Sequence, residues 1–172
     1  GEGLGVALGD REPLVRAMVR RSVVARPQGR TLLNDLASQL SDPSYSVRIN
    51  TALAFSSLGI GRAEGTLGGH LRNAQDEYIG HLQLYTDSDA DQSNRGMVHA
   101  LRGEFEEAIR AYRIALRLNS EHADARFGLG VALLQTGARA EAVGEFEKLL
   151  DQNPEYPGLK AVLAQLRSGD NR

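Results

Sequence analysis

The sequence contains no cysteine among its 172 residues. Disulfides, thiolate metal sites and covalent haem attachment all require cysteine, so none of them can form within this chain. Long apolar runs are missing too, because no stretch approaches the ~20 consecutive apolar residues that cross a bilayer. The sequence therefore predicts no membrane span. The lack of cysteine alone indicates no compartment.

The sequence also lacks a large net charge, since its formal net charge is -2 and its pI is near 6.1. Nucleic-acid binding needs clustered positive charge that displaces counterions from phosphates, so we expect no nucleic-acid partner. The arginine-rich residues 10–30 are the exception. They are either a solvated helix face or a surface for an acidic partner.

Recognisable catalytic motifs are absent. The Gly-x-Gly sequences at 59–61 and 128–130 follow no predicted strand and carry no Gly-Lys-Ser/Thr, so they do not indicate a nucleotide site. There is no Gly-x-Ser-x-Gly motif. His70 and His81 can share a helix face, but they lack nearby carboxylates at ligand spacing and make a poor metal site. We expect no catalytic residue, no metal and no cofactor, and therefore not an enzyme.

An internal repeat is present, since residues 89–122 and 123–156 form two 34-residue units. The second unit has small residues where two helices would approach, and large residues that would fill the gap between them. The small residues are Gly130 and Ala142, and the large ones are Leu129, Leu133 and Phe146. Gly137 is suited to the turn between the helices, and Pro154 to the end of the second helix.

The first unit repeats this spacing. Its equivalent residues are Gly96, Gly103, Ala108, Tyr112 and Ala115. Its first helix departs from the pattern, because Gln92, Arg95 and His99 stand where large apolar residues are usual.

These two units resemble the tetratricopeptide repeat (TPR), a pair of antiparallel helices. The resemblance implies that the first helix of each pair lines a concave, partner-binding groove. The groove residues that it implies are Ser93, Met97, Ala100, Leu101, Phe127, Val131, Leu134 and Gln135. This lining is mainly apolar and suits an amphipathic helix or an apolar extended segment of a protein or peptide. The occupant is either a separate partner or another part of the same protein.

The N-terminal residues 1–58 follow a different pattern. Leu-Gly-Asp at 8–10 and Val15-Arg16 recur as Leu-Ser-Asp at 40–42 and Val47-Arg48. This resembles short HEAT repeats, in which the aspartate caps a helix and the arginine joins an Asp/Arg ladder. An aspartate at a helix start satisfies backbone donors and favours the helix dipole.

The predicted fold is all-α, a right-handed superhelical array of antiparallel helix pairs. Its segments are HEAT-like repeats at 1–58, a Gly-rich junction with a degenerate half-repeat at 59–88, two TPR repeats at 89–156, and a capping helix with a tail at 157–172. The helical spacing of Leu159, Val162, Leu163 and Leu166 predicts the capping helix. Glycines concentrated at 59–69 predict the most mobile interior segment.

The order of motifs is similar to the C-terminal region of certain bacterial multihaem c-type cytochromes with TPR repeats. The matching sequences are Asp-x4-Val-Arg-Ile at 42–49, Asp-Glu-Tyr at 76–78 and Gly-Glu-Phe-Glu-Glu-Ala at 103–108. This resemblance implies an accessory domain that docks or positions a periplasmic electron-transfer module. The other hypothesis is a non-catalytic protein-interaction scaffold that uses the TPR groove, in the cytoplasm. The opening residues 1–5 suggest an interrupted repeat, from a longer protein or a mature form.

Overall fold

The computed structural model describes residues 33–83 and 87–168. Every regular element within these residues is helical, which confirms the all-α prediction. The chain divides into two compact units, Gly1–Leu84 and Tyr85–Arg172. Within the described ranges, no helix is both long enough and apolar enough to span a bilayer.

Three α-helices are described in the first unit. They are α1, Leu33–Ser38, continued by a 3-10 turn at Gln39–Ser41; α2, Tyr45–Ser57; and α3, Gly65–Gln83. Apolar residues at helical spacing on all three bury one common core. Its buried members are Leu36, Leu40, Ala52, Phe55, Leu71 and Ala74.

The glycine-rich stretch 59–69 is helical in its second half, because α3 begins at Gly65, and the mobility of the stretch stays a prediction. A Cβ built on Gly68 would lie 2.1 Å from the carbonyl oxygen of Ala63, a distance that no side chain allows. The Gly68 N–H donates to the Glu64 carbonyl at 3.2 Å. Glycine therefore permits a close backbone approach at the helix start, a use that composition alone does not separate from flexibility.

Asp42 and Arg48, which we predicted to be a helix cap and a ladder residue, lie together at the start of α2, where the Arg48 guanidinium donates to the Asp42 carbonyl at 2.8 Å. Ser44 is the N-cap residue of α2, and the Asp42 carboxylate instead accepts the Ser44 N–H at 2.8 Å. The Arg48 guanidinium makes two parallel bonds to the Glu77 carboxylate, at 2.8 and 2.9 Å. It therefore fastens α2 to α3 as a bidentate pair. Asp10 and Arg16, the other predicted copy, lie outside the described residues.

The second unit contains five described helices. They are α4, Asp89–Arg102; α5, Phe105–Leu118; α6, Ala123–Gln135; α7, Arg139–Gln152; and α8, Leu159–Ser168. The connections between α4, α5, α6 and α7 are so short that sequential neighbours run antiparallel. Gly103 and Gly137 take left-handed backbone angles, with φ of +78° and +80°, at the turns where the repeat spacing places them.

The core of the second unit is continuous through α5, α6, α7 and α8. Ala115, Leu129, Leu133 and Leu149 are buried in it. Leu159 and Leu163 bury one face of α8 against this core, while Val162 and Leu166 are partly buried beside them. Helix α8 thus covers the apolar surface of the last helix pair, which is the role of a capping helix.

Candidate functional site: a groove beside helices α4 and α6

Tyr112 on α5 determines how closely α4 and α6 lie to each other. A Cβ on Gly96 of α4 would lie 2.7 Å from the Tyr112 ring, and one on Gly128 of α6 would lie 2.4 Å from it. The ring therefore rests against the bare backbone of both helices, and only 5 % of the residue is exposed. In the second helix pair, Gly130 makes the same contact with Phe146, where a Cβ would lie 2.4 Å from the ring.

A cavity of about 520 Å³ opens beside α4 and α6, with Tyr112 in its wall. We call it the α4–α6 groove. Its lining residues are Ala90, Ser93, Asn94, Met97, Ala100 and Leu101 from α4; Asp124, Phe127, Gly128 and Val131 from α6; and Tyr112, His122 and Tyr156. The α4 and α6 members recur every three or four residues, which places them on one face of each helix.

Six of the eight residues predicted for the groove line this cavity. They are Ser93, Met97, Ala100, Leu101, Phe127 and Val131. The other two do not line it. Leu134 is partly buried and packs against the core of the unit, and Gln135 is exposed as the last residue of α6. A role in partner binding stays a prediction for all eight.

Tyr156 is a lining residue that the sequence pattern did not predict, because it lies in the irregular connection between α7 and α8. Its ring stacks on Phe127 with centroids 5.3 Å apart, and Phe127 in turn lies 5.7 Å from Phe146. The Tyr156 hydroxyl donates to the Asp124 carboxylate at 3.4 Å. Helical periodicity carries no information on a side chain in a connection, so no sequence signal identified it.

Both tyrosine hydroxyls of the groove keep their protons. Burial, and then the nearby Asp124 carboxylate, raise the pKa of Tyr112 well above its ordinary value. Burial, the charge of Asp124 and the hydrogen bond to it raise the pKa of Tyr156. Each hydroxyl is therefore a hydrogen-bond donor at neutral pH. His122 is engaged differently, as the N-cap residue of α6, and its Nδ1 accepts the Ala125 N–H at 3.4 Å.

Three polar side chains of the groove make no hydrogen bond to any described part of the chain. They are the hydroxyls of Ser93 and Tyr112 and the amide of Asn94. Ser93 is only 8 % exposed and Tyr112 only 5 % exposed. The polar atoms of all three remain open to water in the groove, and a ligand that covers them replaces that water.

Arg126 occupies the position in α6 that Gln92 occupies in α4, and it is buried at the side of a smaller cleft of about 300 Å³. Its guanidinium donates to Glu145 at 2.7 Å and to Gln152 at 2.9 Å, both on α7. A further bond goes to the Ser120 carbonyl. These contacts join α6 to α7, so Arg126 has a structural role.

Of the polar residues of α4 that break the repeat pattern, Gln92 is buried, and Arg95 and His99 are partly buried. Gln92 is 2 % exposed, and burial lowers the pKa of Arg95. His99 Nδ1 lies 2.7 Å from one oxygen of Glu104, and the Arg102 Nε lies 3.0 Å from the other. At the turn of the first helix pair, nitrogens of His99 and Arg102 therefore share the Glu104 carboxylate.

The α4–α6 groove offers a ligand an apolar contact surface and polar groups for hydrogen bonds. In the described part of the chain, no group of three or more histidine, aspartate or glutamate side chains is placed to hold a metal. His70 and His81 both lie on α3. The groove lining includes one carboxylate, Asp124, and one imidazole, His122, and both already contact neighbouring groups.

Comparison with known proteins agrees with this geometry. Residues 94–157 match the family profile described as tetratricopeptide repeat, and this range contains most of the groove. Subunit 3 of the anaphase-promoting complex of Schizosaccharomyces pombe is 33 % identical over 60 residues, which are 35 % of this chain and 9 % of that protein. The chain therefore spans less than a tenth of the length of this relative.

Neither match tests the HEAT-like pattern or the cytochrome resemblance, and both stay predictions. Tetratricopeptide repeats generally mediate contacts between proteins and are generally not catalytic. The part of this chain that carries the groove is similar to such repeats.

Proposed function

We propose that this chain is a non-catalytic interaction scaffold that holds a protein or peptide in the α4–α6 groove. The observation that supports this most directly is the apolar lining, in which Met97, Leu101 and Phe127 are only partly buried and Val131 is 36 % exposed. An apolar surface in a concave site is the usual form of a binding groove.

The energetics of burial favour this use of the groove. Covering an apolar side chain fully contributes about 1.5–3 kcal/mol. Each partly exposed side chain of the groove adds part of that amount when a partner covers it, and neighbouring side chains add their contributions in one contact. Isolated apolar residues elsewhere on the surface do not add up in this way.

Two exposed apolar residues make a matched test. Val131 lines the groove and is 36 % exposed, whereas Leu118 at the end of α5 does not line it and is 46 % exposed. We expect Val131→Lys to abolish capture of a partner from an extract of the source cells, because it places an ammonium among apolar groups. Leu118→Lys is expected to leave capture unchanged. Quantitative mass spectrometry of the captured proteins measures both.

Equal capture by the two variants would place binding elsewhere on the chain. Capture of no protein by the wild-type chain would also count against the proposal. Circular dichroism of both variants separates loss of binding from loss of folding.

A further inference from the structure

The smaller cleft, of about 300 Å³, differs from the α4–α6 groove in its charge and shares no lining residue with it. We call it the arginine cleft. Its lining contains three cationic side chains and one carboxylate, whereas the whole chain has a net charge of -2. The lining residues are Arg113, Leu116 and Arg117 from α5, Arg126 and Leu129 from α6, and Glu145 from α7. Positive charge is therefore concentrated at one place on a slightly acidic chain.

The ion-pair partners of the lining residues do not remove this excess of positive charge. Glu141 on α7 pairs with Arg113 at 2.9 Å, and Lys148 on the same helix pairs with Glu145 at 2.7 Å. One further anion and one further cation cancel, so the local balance stays positive. The Arg113–Glu141 pair is solvent-exposed, and such pairs are weak enough for a carboxylate of a ligand to replace Glu141.

Arg117 is the arginine of the cleft that is open to a ligand. Its side chain is exposed and makes no hydrogen bond or ion pair within residues 33–83 and 87–168. It follows Arg113 by four residues, so both lie on the same face of α5. A guanidinium presents parallel N–H groups that fit the two oxygens of a carboxylate. Arg117 can therefore bind a carboxylate without losing a contact of its own.

The rest of the lining is rigid and partly apolar. Arg126 is 7 % exposed, and its three hydrogen bonds, to side chains of α7 and to a backbone carbonyl, hold it in place. A side chain that is already ordered loses little conformational entropy when a ligand binds. Leu129 is buried and Leu116 is partly buried beside the arginines. A glutamate, with two methylene groups before its carboxylate, matches a lining of leucine and arginine side chains.

Two other anionic ligands match the arginine cleft less well. A nucleic-acid backbone requires cations that neutralise successive phosphates, and two of the three arginines here already pair with carboxylates. A phosphate dianion would be repelled by Glu141 and Glu145 more strongly than a carboxylate with a single charge. The charge and size of the cleft therefore favour a carboxylate.

We propose that the arginine cleft is a second interaction surface of this chain, and that it binds an acidic segment of a protein partner through a glutamate carboxylate paired with Arg117. This inference goes beyond the proposed function, because no residue of the α4–α6 groove takes part in the contact.

The test compares three probes on the full chain. A short fluorescein-labelled peptide that alternates glutamate and alanine is titrated against the protein and followed by anisotropy, up to about millimolar protein. A lysine/alanine peptide of the same length and a labelled oligothymidylate of equal formal charge are titrated in parallel. We expect the glutamate peptide to bind most tightly and its affinity to fall as salt is added, because salt screens the ion pair.

Two arginines on α5 make a matched pair of variants. Arg117→Gln is expected to weaken binding of the glutamate peptide about three- to tenfold, between the values for an exposed ion pair and for a hydrogen bond to a charged group. Arg110→Gln changes the net charge equally, but Arg110 pairs with Glu107 and does not line the cleft. It lies roughly 10 Å from Arg117 along the helix, beyond the Debye length of about 8 Å at physiological salt, so binding should be unchanged.

Three outcomes would overturn this inference. They are no binding of the glutamate peptide to the wild-type chain, equal weakening by Arg117→Gln and Arg110→Gln, and tighter binding of the oligothymidylate than of the glutamate peptide. Thermal melts of both variants show that any loss of binding is not a loss of folding. Capture through the α4–α6 groove, tested with Val131→Lys, is decided independently of these results.

Discussion

In both helix pairs of the second unit an aromatic ring packs on a glycine of the facing helix, but the aromatic residue differs. In α4–α5 a tyrosine, Tyr112, rests on Gly96, and in α6–α7 a phenylalanine, Phe146, rests on Gly130. Phe146 is 0 % exposed, and Tyr112 is 5 % exposed and also touches Gly128 of the following pair. The comparison separates two roles: the ring fills the gap between helices in both pairs, whereas Tyr112 also lines the groove and carries a hydroxyl that Phe146 lacks.

The largest expected effect tests the role of the ring in the buried pair. Phe146→Ala leaves a cavity in the middle of the core, so we expect the free energy of unfolding to fall by about 3–5 kcal/mol. Urea denaturation followed by circular dichroism measures this. A loss below about 1 kcal/mol would show that the core collapses around the missing ring.

Enlarging Gly130 should disrupt the same contact with Phe146 from the side of α6. Gly130→Leu forces a branched side chain against the Phe146 ring, and we expect a loss of about 3 kcal/mol, at the upper end for overpacking. Gly96→Leu should behave alike if the two pairs are equivalent. Unchanged thermal unfolding of either variant would contradict the close approach.

A helical glycine without a neighbour provides the control. A Cβ on Gly144 of α7 meets nothing within 4 Å. Gly144→Ala is therefore expected to stabilise the protein by up to about 1 kcal/mol, because alanine favours the helix more than glycine does.

The second helix pair contains an ion pair between Arg126 and Glu145, at 2.7 Å, with little exposure of either side chain. Its contribution to stability can be measured by changing the pH. Although burial alone would raise it, hydrogen bonds from Lys148 and Arg126 hold the pKa of Glu145 below its ordinary value of 4.5. A lowered pKa means that the carboxylate stabilises the fold above pH 4.5. That contribution is lost as the pH falls through the folded-state pKa.

We therefore expect Glu145→Gln to cost about 1–2 kcal/mol at pH 7 and nothing at low pH, where wild-type Glu145 is itself protonated. Denaturation curves across this pH range give the difference. Glu141→Gln is the control, because its ion pair with Arg113 is solvent-exposed and should contribute little. A pH-independent cost would show that the lost contact is not the charge.

The smallest expected effect concerns the hydroxyl that distinguishes the pairs. Tyr112→Phe makes the first pair chemically like the second, and the free energy of unfolding should change by less than about 0.5 kcal/mol, since no hydrogen bond within the described residues is lost. Calorimetry measures this change. A large loss would assign the hydroxyl to folding and weaken its assignment to the groove.

The repeat spacing was enough to predict the helix pairs, because small and large residues at fixed intervals allow few other packings. The pattern identified Gly130 opposite Phe146 and the turns at Gly103 and Gly137. It did not identify Gly128, whose contact is with a ring from the preceding pair. Such a contact depends on the angle between two pairs, which no spacing within one pair encodes.

The groove was predicted less completely than the fold. Of the eight residues that the TPR resemblance implies, six line the cavity, whereas Leu134 packs against the core; partner binding stays a prediction for all of them. Helical periodicity missed Tyr156, because a connection between helices has no periodicity. In the first unit, the HEAT-like pattern predicted a ladder for Arg48, and the carboxylate that it pairs with, Glu77, lies 29 residues away in the sequence.

The ring held by Gly96 and Gly128 has a consequence for cooperativity. In linear repeats, stability is the sum of each repeat's own terms and the coupling to its neighbour. Tyr112 contributes to the stability of its own helix pair through Gly96 and to the coupling with the next pair through Gly128. Its removal should let the two hairpins melt at separate temperatures, whereas an occupant lodged against this ring would make them melt together.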